Sequence, residues 1–113
     1  MRNNCSQVVV ENFFEPGVLY LLMKKPSYGY EIQKDLKKNC ICEVNIGNLY
    51  RCLSRLKKQG YIDRMAMESK IGPKKYSYTI TKEGKIYLSN WIKSLKKQKD
   101  VISLLIKNYQ KIV

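Results

Sequence analysis

The last third of the chain places apolar residues seven apart, at Leu88, Leu95, Ile102 and Tyr109. Trp91, Leu105 and Ile112 fill the matching second position of each repeat, and Gln98 interrupts them. Sustained over more than three heptads, this pattern is an apolar seam along one long helix. A chain of 113 residues has the length of one domain, and so small a body cannot cover such a helix from end to end. The seam therefore predicts a partner helix, most simply that of a second copy. Lys96-Lys97-Gln98-Lys99-Asp100 weakens the seam and leaves a break open there, with Asp100 capping a separate last helix.

Upstream, three helical periods and one alternating segment follow each other. Phe13 to Lys24 is apolar at helical spacing (Phe14, Val18, Leu21, Leu22), and Pro16, suited to a first turn, predicts the start of the regular helix. Lys24-Lys25-Pro26 ends it, because a residue before proline avoids the α region. Ser27 can cap a second helix with Ile32 and Leu36 inward and Lys34, Lys37 and Lys38 outward. After a turn at Asn39-Cys40-Ile41-Cys42, Asn45 can cap a third helix running to Gln59, with Leu49, Cys52, Leu53 and Leu56 as its stripe and Gly60 as its stop. Tyr61 to Glu68 and Tyr76 to Thr81 alternate as strands about a turn at Gly72-Pro73, with Tyr76, Tyr78 and Ile80 on one face and Lys70, Lys74 and Lys75 near the tip. Thr81 caps the final helix.

The net charge is +13, with no histidine to make it vary near neutrality. Residues 1–44 carry six basic and five acidic side chains, a net of +1; residues 45–113 carry 16 and four, a net of +12. That excess points to a polyanion, although 18 of the 22 basic residues are lysines, as in a lysine-rich background. Cys5, Cys40, Cys42 and Cys52 lack zinc-site spacing and histidine partners, and the apolar content makes a disulfide scaffold unnecessary. A reducing, cytoplasmic protein with small buried thiols is expected, with a redox role at Cys40 or Cys42 as the minor alternative. No cofactor or metal is expected. The longest apolar run, Val18 to Met23, is far shorter than the roughly 20 residues of a membrane span. Met1-Arg2-Asn3-Asn4 leads into no long apolar segment, so neither a membrane span nor a signal peptide is expected.

Three helices followed by a hairpin make a winged helix, a helix-turn-helix variant whose element after the turn enters the major groove of DNA. The fold expected is mainly α with a small β-hairpin: a winged helix-turn-helix over residues 1–81 and a C-terminal dimerisation helix over 82–113, as one compact unit. Opposite the leucine stripe of Asn45 to Gln59 lie Asn48, Arg51, Ser54, Arg55 and Lys58; the helix has four basic residues, with Lys57, and no acidic one. Arginine can read guanine bidentately, asparagine can read adenine, and lysine mainly holds phosphate.

The chain also resembles a known family. Pro26-Ser27-Tyr28-Gly29-Tyr30-Glu31-Ile32 is similar to the signature of the PadR family of bacterial transcriptional regulators. Gly47-Asn48-Leu49-Tyr50-Arg51-Cys52-Leu53-Ser54-Arg55-Leu56 resembles its third helix, and Gly60-Tyr61-Ile62 its helix-to-wing junction. Gly72-Pro73-Lys74-Lys75 and Tyr78-Thr79-Ile80-Thr81-Lys82-Glu83-Gly84 resemble its wing and the start of its last helix. The resemblance covers about residues 18–92 and implies a homodimeric repressor on an inverted-repeat operator. It places the dimer contact on the C-terminal helix, here Leu88, Trp91, Leu95, Ile102, Leu105 and Tyr109. The length fits the short subgroup, some of whose members bind flat aromatic compounds between protomers. Phe13, Tyr20 and Trp91 are the candidates to line such a pocket, with plain dimer packing as the other role for Trp91.

Asn48 and Arg51 stand where the family often has Thr and Pro, so the resemblance does not carry an operator sequence over. Lys75-Tyr76-Ser77-Tyr78 lacks the family's wing arginine, and Glu15-Pro16-Gly17 is atypical for its first helix. The expected DNA surface is Tyr28, Asn45, Asn48, Tyr50, Arg51, Arg55, Lys58, Lys74 and Lys75, on double-stranded DNA. Tyr28 and Tyr50 would give hydroxyls to phosphate or pack between helices. The competing reading is a winged-helix interaction or adaptor module whose basic face takes an acidic partner. Enzyme chemistry is disfavoured by the lack of histidine, of a glycine-rich phosphate loop and of paired ligand spacing.

Overall fold

The computed structural model describes residues 14–38, 44–67, 72 and 75–113. Phe13, Cys5, Cys40, Cys42, Lys70, Pro73, Lys74 and the turn at 39–42 lie outside them. Among the described residues the order is α1 (Phe14–Lys24), β1 (Ser27–Tyr28), α2 (Gly29–Lys38), α3 (Ile46–Lys58), β2 (Ile62–Met67), β3 (Lys75–Ile80) and α4 (Lys82–Ile112). α1 begins two residues before Pro16, which lies in its first turn, where the missing N–H leaves no helical bond unmade.

Ser27 does not cap α2. It is buried in β1 and faces Tyr78 across an antiparallel pairing, while Tyr28 faces Ser77. The α2 cap comes from the other side of the box: the Tyr28 N–H donates to Glu31 Oε1 at 3.0 Å. The expected hairpin is thus one part of a three-stranded sheet in the order β1-β3-β2. β2 pairs with β3 from Ile62↔Ile80 to Met67↔Lys75.

Asn45 caps α3 as expected, its Oδ1 accepting the Asn48 N–H at 3.0 Å. Gly60 follows the helix at φ +84°. Val18, Leu19, Ile32, Leu36, Leu49, Leu53, Leu56 and Ile62 are fully buried and join α1, α2, α3 and β2 in one core, which Tyr78 and Leu88 close from β3 and α4. Each such side chain contributes about 1.5–3 kcal/mol relative to exposure.

Thr81 caps α4, with Oγ1 accepting the Gly84 N–H at 3.0 Å and donating to the Gly60 carbonyl at 2.7 Å. α4 runs unbroken for 31 residues, so the lysine-rich stretch at 96–100 neither ends nor restarts it. Lysine and glutamine are good helix formers, and Gln98 Nε2 donates back to Ser94 Oγ at 3.4 Å. Only its first turns meet the body: Gly84 and Leu88 are buried, Tyr87, Trp91 and Leu95 half-buried, and every residue from Lys96 onward exposed.

Candidate nucleic-acid interface

The core stripe of α3 fixes which face it turns outward. With Leu49, Cys52, Leu53 and Leu56 buried, Asn48, Arg51, Ser54, Arg55 and Lys58 are all exposed. The N-terminal end is ordered by its own polar groups. Asn45 holds the Asn48 backbone, and Arg51 Nη2 donates to Asn48 Oδ1. These side chains offer donors and acceptors in one row at the end of the helix with the positive dipole, a suitable end for an anion.

Tyr28 and Tyr50, both exposed, share a cleft of about 550 Å³ with Tyr30, Tyr76, Tyr78, Lys34 and Lys75. It joins the start of α2, α3 and the sheet. Gly29 makes room for the Tyr50 ring: a Cβ there would lie 2.6 Å from the Tyr50 hydroxyl. Arg64 lies over the Tyr76 ring, 4.1 Å from its centre. Burial pushes the Tyr78 hydroxyl up from its ordinary value, with Arg64 acting in the opposite direction. The sheet thus brings Tyr76, Tyr78 and Lys75 beside the helix tyrosines. Tyr30, Lys34 and Arg64 were absent from the expected surface; the alternation of Tyr76 and Tyr78 was a usable signal, whereas β1, which joins α2 to the sheet, had none.

Arg55 is exposed but occupied. Its Nε donates to Glu15 Oε2 at 3.0 Å, across to α1. The other oxygen, Oε1, accepts from the Tyr87 hydroxyl at 2.6 Å and from Trp91 Nε1 at 3.3 Å. Burial pushes the Glu15 carboxyl up, but the bonds from Tyr87, Arg55 and Trp91 outweigh it and the net shift is down. Burial and the bond to Glu15 raise Tyr87. Tyr87 also stacks on Tyr61, with ring centres 4.0 Å apart and planes 5° from parallel.

Beside Trp91 is a shallow recess of about 240 Å³ lined by Tyr87, Asn90, Trp91 and Ser94. Tyr20 does not line it; it lies exposed on α1 under the Lys24 ammonium. Of the dimer candidates, Leu88 is buried in the body, Trp91 and Leu95 are half-buried, and Ile102, Leu105 and Tyr109 are exposed. Burial pushes the Cys52 thiol up to about 11, which leaves it a neutral core group. Among the described residues no helix is long and apolar enough to cross a membrane, and no group of His, Cys, Asp and Glu could hold a metal ion.

Residues 18–90 match the family model described as the transcriptional regulator PadR-like family. The fold is similar to a transcriptional regulator from Clostridium thermocellum at 31% identity and a TM-score of 0.77, covering 84% of this chain and 91% of that one. It is also similar to a PadR-like transcriptional regulator from Bacillus cereus at 28% identity and a TM-score of 0.74, covering 86% and 94%. A third similar structure is Bacillus subtilis PadR in complex with operator DNA, at 25% identity and a TM-score of 0.65, covering 72% of this chain and 47% of that one.

Proposed function

Because the chain belongs to the PadR-like family of transcriptional regulators, we propose that it is a repressor that binds an inverted-repeat operator as a homodimer. The observation that carries this reading is the outer face of α3. It has no acidic residue, it is exposed, and its N-terminal end presents Asn45, Asn48 and Arg51 in a hydrogen-bonded row. In this reading α3 enters the major groove. Asn48 and Arg51 read base edges there, Tyr28, Tyr50 and Lys58 hold phosphate, and Lys74 and Lys75 grip the backbone from the wing.

Residues 1–81 carry the DNA surface and 82–113 the dimer contact. The support for the second assignment is the apolar, exposed far half of α4, where Ile102, Leu105 and Tyr109 project into solvent in a single chain. The working compartment is the cytoplasm. A flat aromatic effector, seated on Trp91 at the dimer contact, releases the DNA; its test is quenching of Trp91 fluorescence by planar compounds, and no response leaves Trp91 a packing residue.

A footprint upstream of the chain's own gene tests the main reading. The expected result is a pseudo-palindrome with half-sites about 10 base pairs apart, centre to centre, or a multiple of that. Affinity should fall steeply with salt. If a genomic selection at modest salt enriches no DNA, the reading fails in favour of an adaptor module whose basic face takes an acidic protein.

A further inference from the structure

The Glu15 carboxylate ties three helices together. Its partners lie 40, 72 and 76 residues away in sequence, on α3 and twice on α4. The two oxygens divide the work: Oε2 faces Arg55 of α3, and Oε1 faces Tyr87 and Trp91 of α4. An amide could not do the same, because its nitrogen end cannot accept from a guanidinium. The side chain is 16% exposed against 51% for Arg55, so the carboxylate sits inside the seam and the arginine reaches in to it from the surface. A second link runs parallel. The Tyr87 ring stacks on Tyr61, whose N–H donates to Leu56 at the end of α3 at 3.0 Å. The C-terminal half of α3 is therefore held to α4 through Glu15 and through Tyr61.

We propose that Glu15 is a positioning residue that couples the Tyr87–Trp91 face of α4 to the recognition helix by way of Arg55. Arg55 then acts on DNA through the setting of α3 rather than by touching it. A molecule that enters the recess beside Trp91 and takes the indole N–H or the Tyr87 hydroxyl removes donors from Oε1. That changes the hold on Arg55, and with it the angle of the helix that meets DNA. The recess on α4 and the DNA face of α3 are two distinct sites, and Glu15 bonds to both helices between them. This proposal rests on the DNA-binding reading above.

The test uses the full chain with Arg55→Gln and Glu15→Gln, and reads two signals. The first needs no DNA: Trp91 is the sole tryptophan, and its emission and quenching by iodide report its contact with Glu15. Arg55→Gln is expected to change both, although Arg55 does not itself bond to Trp91. The second is affinity for the selected operator across a salt series. Each variant is expected to weaken binding by about threefold to thirtyfold, the range of mutations along coupled networks, with the logarithmic salt slope unchanged.

An unaltered Trp91 signal in Arg55→Gln overturns the proposal. So does a salt slope reduced by about one, which marks a direct phosphate contact by Arg55. If circular dichroism shows Glu15→Gln to be unfolded, Arg55→Gln decides alone, since it changes a half-exposed guanidinium. If the wild-type chain selects no DNA, the repressor reading fails, and the Trp91 response still decides whether Glu15 links Arg55 to α4.

Discussion

Adding a single methyl group at Gly84 should loosen the joint between the wing and the last helix. A Cβ at this position would lie 2.0 Å from the Tyr61 carbonyl oxygen, 3.0 Å from its carbon and 2.8 Å from Ile80 Cγ1, where ordinary contact begins at 3.4 Å. The oxygen cannot yield freely, because it accepts the Thr81 N–H at 3.1 Å. Opening the gap moves α4 away from the sheet, loses that hydrogen bond and disturbs the Tyr61–Tyr87 stack. Overpacking of this kind costs about 1–3 kcal/mol, and the lost hydrogen bond adds about 1 kcal/mol. Alanine returns at most about 1 kcal/mol through helix propensity and a stiffer unfolded chain. Gly84→Ala is thus expected to destabilise by about 1–4 kcal/mol, a fall in Tm of roughly 5–30 °C for a domain of this size. The measurement is urea and thermal unfolding of both chains at one fixed protein concentration, since the proposed dimerisation would make Tm concentration-dependent. A Tm equal to or above that of wild type would refute the reasoning, and with it the tight seat of α4 on Tyr61.

Other perturbations separate the remaining assignments. Leu105→Glu places a charge in the far seam, at a residue 68% exposed in the single chain; sedimentation should show monomers, and an unchanged dimer mass counts against pairing through α4. Arg51→Ala should cost about 1–3 kcal/mol of operator binding and relax specificity at one base pair, whereas Lys75→Ala should weaken every sequence alike; a loss confined to one operator variant contradicts the lysine's role. The lowered Glu15 carboxyl stabilises the fold above the ordinary carboxylate range, and that contribution is lost as pH falls through its folded-state value. The stability gap between wild type and Glu15→Gln should accordingly shrink on acidification; a gap constant from neutrality into acid shows that ionisation of Glu15 is not involved.

What the sequence made legible was mostly local. Asn45 and Thr81 announce their helices because a cap is a contact three residues away, and both make it. Tyr76, Tyr78 and Ile80 share a face because alternation is intrinsic to a strand. Ser27 misled for the same reason: its type suits a cap, but two residues of β1 have no period of their own, and pairing with Ser77 and Tyr78 prevailed. The lysine stretch at 96–100 left a break open because it interrupts the seam, and the backbone there follows helix propensity, which lysine satisfies. Glu15 gave no hint of its partners, since all of them are brought to it by the packing of α1, α3 and α4. For Arg55 the sequence showed a charge on the outer face but not the carboxylate that occupies it.

The 31 residues of α4, at 1.5 Å each, make a rod about 46 Å long, and it meets the body only over its first half, from Gly84 to Leu95. Such a rod is a lever. A rotation of 5° about the Thr81–Gly84 joint carries the far end through about 4 Å. Run in reverse, in the proposed homodimer with its two far ends fastened together, the same leverage would turn slack at the joint into misalignment between two reading heads set one turn of DNA apart, about 34 Å. Base-edge hydrogen bonds tolerate only a few tenths of an ångström. The snug fit of one glycine against one carbonyl oxygen thus acts as the bearing of a caliper, and the spacing that the protein can measure is no more accurate than that bearing is stiff.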